Sequence, residues 1–140
     1  MVAEVAVFFW MHRLLPKFGA KYLLATAMVL TTLRWWLIAI FADKLLVLLS
    51  VQLLHAASFG LFHAAAIHLV DRYFSGSIQG RGQALYSSIS FGLGGSLGSL
   101  ISGYTWNLIG PSYVYMLAMG LASLALFQFI WVVRPRLGKA

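Results

Sequence analysis

The stretch VQLLHAASFGLFHAAAIHLV, residues 51–70, decides the class of this protein. It is apolar and long enough to cross a bilayer core of about 30 Å, which takes about 20 helical residues. It nevertheless carries several polar side chains, namely Gln52, His55, Ser58, His63 and His68. Ionisable groups are costly inside a membrane and usually face a bundle interior or a water-filled cavity. The stretch therefore predicts a transmembrane helix that borders a solute site.

The composition extends this conclusion to the whole chain. Of 140 residues, 61% are hydrophobic and 9% are charged, whereas a soluble domain has about 45–50% and about 25%. The formal net charge of +7 comes from basic residues in short loops, a pattern that indicates membrane topology and not nucleic-acid binding. We predict an all-α integral membrane protein whose partner is the lipid bilayer.

Apolar runs and helix breakers predict an N-terminal half-helix and four full transmembrane helices in a single membrane domain, residues 1–140. The first run is too short to span a bilayer, and Pro16 and Gly19 are expected to end it. We interpret it as the C-terminal half of a helix whose beginning is missing. A polar loop is predicted at residues 71–83. The approximate helix bounds are 1–11, 20–41, 45–70, 84–103 and 112–133.

The basic residues also predict the orientation. Of the ten Lys and Arg residues, all except Arg34 and Lys44 lie in the first loop, the third loop or the C-terminal tail. Positively charged loops stay on the cytoplasmic side of a membrane. These loops and the C-terminus are therefore expected in the cytoplasm.

Three ionisable residues on different helices are predicted at one depth. Counted from the nearest loops at about 1.5 Å per residue, Glu4, Arg34 and His55 all fall in the middle third of the bilayer core. A central arginine costs about 2.5–3.5 kcal/mol on insertion scales, so pairing is expected. A purely structural Glu4–Arg34 ion pair is one explanation, and a solute site is the other.

Four side chains share one face of the helix at residues 51–70. At about 100° per residue, Gln52, His55, Phe59 and His63 point the same way. An aromatic ring flanked by hydrogen-bonding groups suits the wall of a solute cavity. Histidine can hold a proton at physiological pH, and a buried carboxyl such as Glu4 can do so as well. A single interhelical hydrogen bond is an equally good explanation of His63.

The fourth predicted helix has a stripe of small residues. They are spaced to let helix backbones approach closely, which predicts helix packing at Gly94, Gly95, Gly98, Ser99 and Gly103. The sequence has no Gly-rich phosphate loop, Ser/His/Asp arrangement or HExxH motif. We therefore predict no enzyme activity, no cofactor and no metal site.

Several stretches resemble the C-terminal half of major facilitator transporters. They are AEV (3–5), a basic loop ending in FGAK, LRWW and QLLHAASFGLFHAAAIHLV. The branch they resemble is the phenylpropionate permease family of bacterial inner membranes, akin to the lactose permease group of sugar–proton symporters. The resemblance covers the whole chain and implies the end of helix 8 to helix 12 of a twelve-helix fold. It also implies a missing N-terminal transporter half and a location in the bacterial plasma membrane.

The resemblance implies roles for individual residues. Glu4 matches an acidic residue that contacts substrate in the sugar symporters, Arg34 matches the arginine of their proton-coupling network, and His55 matches the histidine of the next helix. Those symporters have a carboxylate three residues after that histidine, where this chain has Ser58. Proton symport is implied, with Glu4, His55 and His63 as the alternative proton carriers.

We therefore expect the C-terminal part of a proton-coupled secondary transporter for a small organic solute, such as an aromatic acid, a nucleoside or a sugar. Such transporters bind solute near the midplane between two halves, so this chain alone is not expected to transport. The alternative is a stand-alone small membrane protein with a structural or regulatory role that assembles through the glycine face. That alternative explains the buried ionisable groups poorly.

Overall fold

The chain is helical along almost its whole described length. In the computed structural model the backbone is described for residues 2–137 and the side chains for residue 5 and residues 7–133. This part of the chain has no strand. Its segments long and apolar enough to cross a membrane are Ala20–Phe41, Leu45–Tyr73, Gly76–Ile109 and Pro111–Val133. The all-α membrane architecture with four long apolar helices is confirmed.

The helices follow one another with very short connections. In chain order they are α1 (Val2–Phe18), α2 (Ala20–Phe41), α3 (Leu45–Tyr73), a 3₁₀ turn (Gly76–Ile78), α4 (Gln79–Ser87), a π-helical segment (Ser88–Leu93), α5 (Gly94–Ile109) and α6 (Pro111–Leu137). The elements α4, π-helical segment and α5 join without a break into one long helix.

The first helix is longer than predicted, since α1 runs to Phe18 and does not end near Met11. Pro16 lies within its last turn, where the missing N–H removes one hydrogen bond without stopping the helix. The chain turns at Gly19 instead, whose φ of 78° is a left-handed conformation that glycine adopts without steric cost. The backbone N–H of Gly19 still donates to the carbonyl of Leu15 at 2.9 Å.

The predicted polar loop at residues 71–83 is also mostly helical, because α3 continues to Tyr73 and α4 starts at Gln79. Two contacts hold this hairpin together. The side-chain amide of Gln83 donates to a carboxylate oxygen of Asp71 at 2.8 Å, and Phe74 packs against Gly82. The two later helices likewise exceed their predicted bounds, since α5 ends at Ile109 and α6 starts at Pro111.

Replacing Gly82 with alanine is expected to destabilise the chain by about 1 kcal/mol, the low end of the range for overpacking, because the short α3–α4 turn can partly open. A Cβ at Gly82 would lie 2.5 Å from Cγ and 2.6 Å from Cβ of Phe74. Thermal unfolding in detergent measures the effect. Gly80→Ala is the matched control, because a Cβ there meets no described atom within 4 Å. Equal melting temperatures for the two variants would contradict the prediction.

Helices α2 and α3 form the most extensive contact of the described chain. Helix α2 also packs against α6, and α3 also packs against α1. A cluster of buried residues joins α1, α2 and α3 towards the end of the bundle that carries the first loop, and it consists of Met11, Ala20, Leu23, Leu24, Ala65 and Ala66. The backbone of α3 approaches α1 closely at Gly60, where a Cβ would lie 2.8 Å from Val7 Cγ1.

The glycine stripe of α5 is not packed against another helix of the described chain. A Cβ at Gly95, Gly98 or Gly103 would meet no described atom within 4 Å. Within the described residues α5 contacts only the π-helical segment and α6, and the stripe borders an open crevice shared with α6. The predicted role of Gly94, Gly95, Gly98, Ser99 and Gly103 in helix packing remains a prediction.

Candidate solute and proton site

A cavity of about 340 Å³ lies between α2, α3 and α6. Its volume is in the range of about 300–1,000 Å³ that small-molecule pockets occupy. Helix α2 contributes Arg34 and α3 contributes His55, two of the three residues predicted at one depth. The full lining is Met28, Thr31, Arg34, His55, Ser58, Phe59, Phe62, Ala122 and Ala125. The cavity thus combines two basic side chains with apolar and aromatic walls.

The guanidinium of Arg34 has an aromatic neighbour and a donor without a described hydrogen-bond partner. Its Cζ lies 4.4 Å from the ring centroid of Trp35, close enough for a cation–π contact. Its Nε is buried and has no hydrogen-bond partner among the described residues. Leaving a buried charged donor unsatisfied is costly. Arg34 thus brings a positive charge to the cavity wall together with a buried donor that has no described partner.

Three aromatic rings from three helices contact one another next to Arg34. The ring of Trp35 stacks on Tyr115 of α6 at 6.3 Å, and Tyr115 meets Trp106 of α5 edge-on at 6.1 Å. Aromatic pairs of this kind add about 0.5–1.5 kcal/mol to the burial of the rings. The contacts tie α2, α5 and α6 together beside the cavity.

Two of the four residues predicted on the cavity face of α3 line the cavity, and a third, His63, stacks on one of them. The ring of Phe59 lies 5.8 Å from His55 on one side and 5.7 Å from His63 on the other, where it is parallel to within 3°. His55 and Phe59 line the cavity. Gln52 is exposed and is not part of the cavity lining in the described structure.

Ser58 is buried next to this face, and its side chain is hydrogen-bonded to the backbone. Its hydroxyl donates to the carbonyl of His55 at 3.2 Å. A serine hydroxyl does not take up a proton in the physiological range, unlike the carboxylate that the resemblance led us to expect at this position. Any proton carried here must be held by another residue.

His63 lies outside the cavity lining, among aromatic side chains of other segments. Phe8 of α1, Tyr86 of α4 and Phe91 of the π-helical segment have ring centroids 6.2, 6.0 and 5.8 Å from that of His63. The hydroxyl oxygen of Tyr86 lies 3.5 Å from His63 Nδ1. The prediction of a single interhelical hydrogen bond thus describes only part of the surroundings of His63.

Some predicted site features fall outside the described side chains. Glu4 is within α1, but its side chain is not described, so neither its approach to Arg34 nor its role as proton carrier is tested. Among the described side chains, no group of three or more His, Cys, Asp or Glu could hold a metal ion.

The sequence analysis also missed residues that the structure brings to the site. Phe62 follows His55 by seven residues and Phe59 by three, so helical periodicity could have placed it on the cavity face. Thr31 lies three residues before Arg34, so helical periodicity could likewise have placed it on the cavity face of α2. Tyr86 and Phe91 had no such signal, because in an α-helix residues five apart lie about 140° apart.

The chain is similar to known transport proteins over most of its length. A family model described as the MFS_1 like family matches residues 1–117. The chain is also similar to the "Probable 3-phenylpropionic acid transporter" of Escherichia coli (strain K12), with 26% identity over 119 residues. The match covers 85% of this chain and 31% of that protein, so the chain spans about a third of its relative. No solved structure matches. These similarities are to transporters and not to enzymes.

Proposed function

Because the chain belongs to the MFS_1 like family of major facilitator transporters, whose model matches residues 1–117, we propose that it forms part of a transporter that carries a small organic acid together with a proton, and that it binds both. The observation that supports this most directly is the cavity between α2, α3 and α6. Its wall combines Arg34, whose buried Nε has no described hydrogen-bond partner, with His55 and the rings of Phe59 and Phe62.

The proposed solute is an acid with one aromatic ring. A guanidinium binds carboxylates through charge-assisted hydrogen bonds, and Arg34 has an unused donor for this purpose. The rings of Phe59 and Phe62 offer an apolar surface for the rest of the molecule. The printed name of the E. coli relative supplies 3-phenylpropionate as the first probe. A sugar or a nucleoside has the polar groups but lacks the carboxylate, so each serves as a comparison.

The proposed coupling is symport of this acid with one proton. Histidine changes its charge between about pH 5 and 8 and therefore suits this step. His55 contacts the same cavity as the solute, and His63 lies beyond Phe59 on the same helix. Glu4 is the third proposed carrier. Ser58 is not a proposed proton carrier, because a serine hydroxyl takes up no proton in the physiological range. Its hydroxyl donates a hydrogen bond to the carbonyl of His55.

In the cell, we place the chain in the bacterial plasma membrane with its C-terminus in the cytoplasm. It would supply the C-terminal helices of a transporter and work with an N-terminal half. Transporters of this kind keep their site near the midplane and alternate its access by rocking one half against the other. The lipid bilayer, the solute, the proton and the other half are the proposed partners, and no nucleic acid is among them.

The test is calorimetric titration of 3-phenylpropionate into the purified chain in lipid nanodiscs. The cavity is formed by helices of this chain, so we expect binding without other polypeptides. Titration in two buffers that differ in ionisation enthalpy gives the number of protons bound with the solute. We expect about one proton per solute near neutral pH, because one histidine or carboxyl changes its protonation state.

The outcomes separate the two parts of the proposal. Absence of binding heat for 3-phenylpropionate would contradict the solute, and binding heat that is independent of the buffer would contradict the proton. A sugar and a nucleoside are expected to bind much more weakly. His68→Gln is the control variant, since His68 is an exposed histidine of the same helix outside the cavity lining, and it should bind as the unmodified chain does.

A further inference from the structure

The surroundings of His63 form a distinct cluster, which we call the His63 cage. Among the described side chains it consists of Phe8, Phe59, Tyr86 and Phe91 around the imidazole ring of His63. The rings come from α1, α3, α4 and the π-helical segment, so four stretches of the chain meet at one imidazole. Tyr86 and Phe91 also contact each other edge-on at 6.1 Å.

The π-helical segment changes the angle between two members of the cage, Tyr86 of α4 and Phe91 of the segment itself. Tyr86 and Phe91 are five residues apart, and in an α-helix they would lie about 140° apart around the axis. A π-helix closes its hydrogen bonds between residues five apart and so places such residues above one another. The segment Ser88–Leu93 lies between Tyr86 and the start of α5. We attribute the contact of both rings with His63 to this winding, which starts two residues after Tyr86.

We infer that the His63 cage is a second proton-binding site, separate from the solute cavity, and that the π-helical segment changes its conformation when His63 gains or loses its proton. The use of this site in coupling rests on the proposed symport, whereas its existence does not. π-Helical segments are rare, and those that occur frequently lie at functional sites.

The chemistry of the imidazole explains how the proton would act. A neutral His63 can accept a hydrogen bond at Nδ1 from the Tyr86 hydroxyl, which lies 3.5 Å away. A protonated ring carries hydrogen on both nitrogens and has no acceptor left. The Tyr86 hydroxyl must then turn its oxygen towards Nδ1–H. The charge is meanwhile attracted to the face of Phe59, which is parallel to the imidazole with its centroid 5.7 Å away.

Few other charged groups compete for this position. The titratable side chain in direct contact with His63 in the described structure is Tyr86. His55 lies on the far side of Phe59 on α3. On α2, Arg34 lines the cavity. On α1, the ring of His12 is exposed and contacts the backbone carbonyl of Phe9 in the same helix. The remaining acid of α1, Glu4, has a side chain outside the described residues.

The experiment is a pH titration of the purified chain in nanodiscs, followed by nuclear magnetic resonance between about pH 5 and 8. The imidazoles are labelled with ¹⁵N, as are the backbone amides. We expect the His63 imidazole signals and the amide signals of Ser88–Leu93 to shift with one common midpoint. In His63→Gln, the pH-dependent shift of these amides should be lost. In the control His68→Gln it should be retained.

Two further variants keep the test decisive if His63→Gln fails to fold. Tyr86→Phe retains the ring and removes the hydroxyl, so we expect a clear change in the His63 signals and a smaller response of the π-helical amides. Deletion of Ile89 places Tyr86 and Phe91 four residues apart, about 40° apart on an α-helix. The cage then persists without π winding, so His63 should still titrate while the amides no longer respond.

The inference is overturned if the amides of Ser88–Leu93 do not change with pH, or if they change equally in His63→Gln. It is also overturned if the response survives deletion of Ile89. These results are independent of the calorimetry, because a chain that binds no solute can still show a titrating His63. Conversely, a chain that binds solute and proton through His55 would leave the His63 signals unaffected by pH.

Discussion

Arg34→Gln is expected to weaken binding of the proposed aromatic carboxylate by about a hundredfold, which corresponds to about 3 kcal/mol. The substitution removes the positive charge at the cavity wall and the guanidinium donors that would meet the carboxylate. It should not destabilise the fold, because a central arginine is itself costly in a membrane by about 2.5–3.5 kcal/mol. Calorimetric titration at fixed pH measures the affinity, and thermal unfolding of the same sample measures the stability.

Arg34→Lys is the matched variant that separates charge from geometry. Lysine keeps the positive charge but loses the planar donors and the stacking on Trp35, which lies 4.4 Å from the guanidinium. An intermediate loss of about tenfold is expected, or about 1.4 kcal/mol. If Arg34→Gln bound the acid as tightly as the unmodified chain, Arg34 would not be the carboxylate site. Its role would then be reduced to packing against Trp35.

The class of the fold could be predicted from the sequence because it depends on an averaged property. Long apolar runs must be buried in lipid as helices, since no other open structure satisfies their backbone hydrogen bonds there. The ends of the helices depend on single local contacts and were predicted less well. Pro16 did not stop α1, and the hydrogen bond between Gln83 and Asp71 supports helix where polar residues had indicated a loop.

Those parts of the candidate site that depend on regular α-helical geometry could be predicted from the sequence. Counting residues from the loops placed Arg34 and His55 at one depth, and the structure has both in one cavity. The face containing His55, Phe59 and His63 followed from α-helical periodicity in the same way. The ring contacts of His63 with Phe91 did not, because π winding changes the period, and nothing in the residue spacing indicates it.

Gly60→Ala is expected to destabilise the chain by about 2 kcal/mol, because it overpacks the contact between α3 and α1. The new Cβ would lie 2.8 Å from Cγ1 and 3.1 Å from Cβ of Val7. Valine is branched at Cβ and has few alternative rotamers, so its side chain cannot turn away. Helix α1 must therefore move. Thermal unfolding in detergent measures the cost, and Gly95→Ala is the control because a Cβ there meets no described atom within 4 Å.

The combination of Gly60→Ala with Val7→Ala tests the mechanism of this loss. Removing the valine methyl groups makes room for the new Cβ, so the double variant should recover most of the stability that Gly60→Ala loses. Strictly additive losses would show that the two side chains do not meet. Because Phe8 follows Val7 on α1 and contacts His63 at 6.2 Å, the displacement of α1 in Gly60→Ala should also alter the His63 imidazole signals. The double variant should restore them, which would link the packing of α1 directly to the His63 cage.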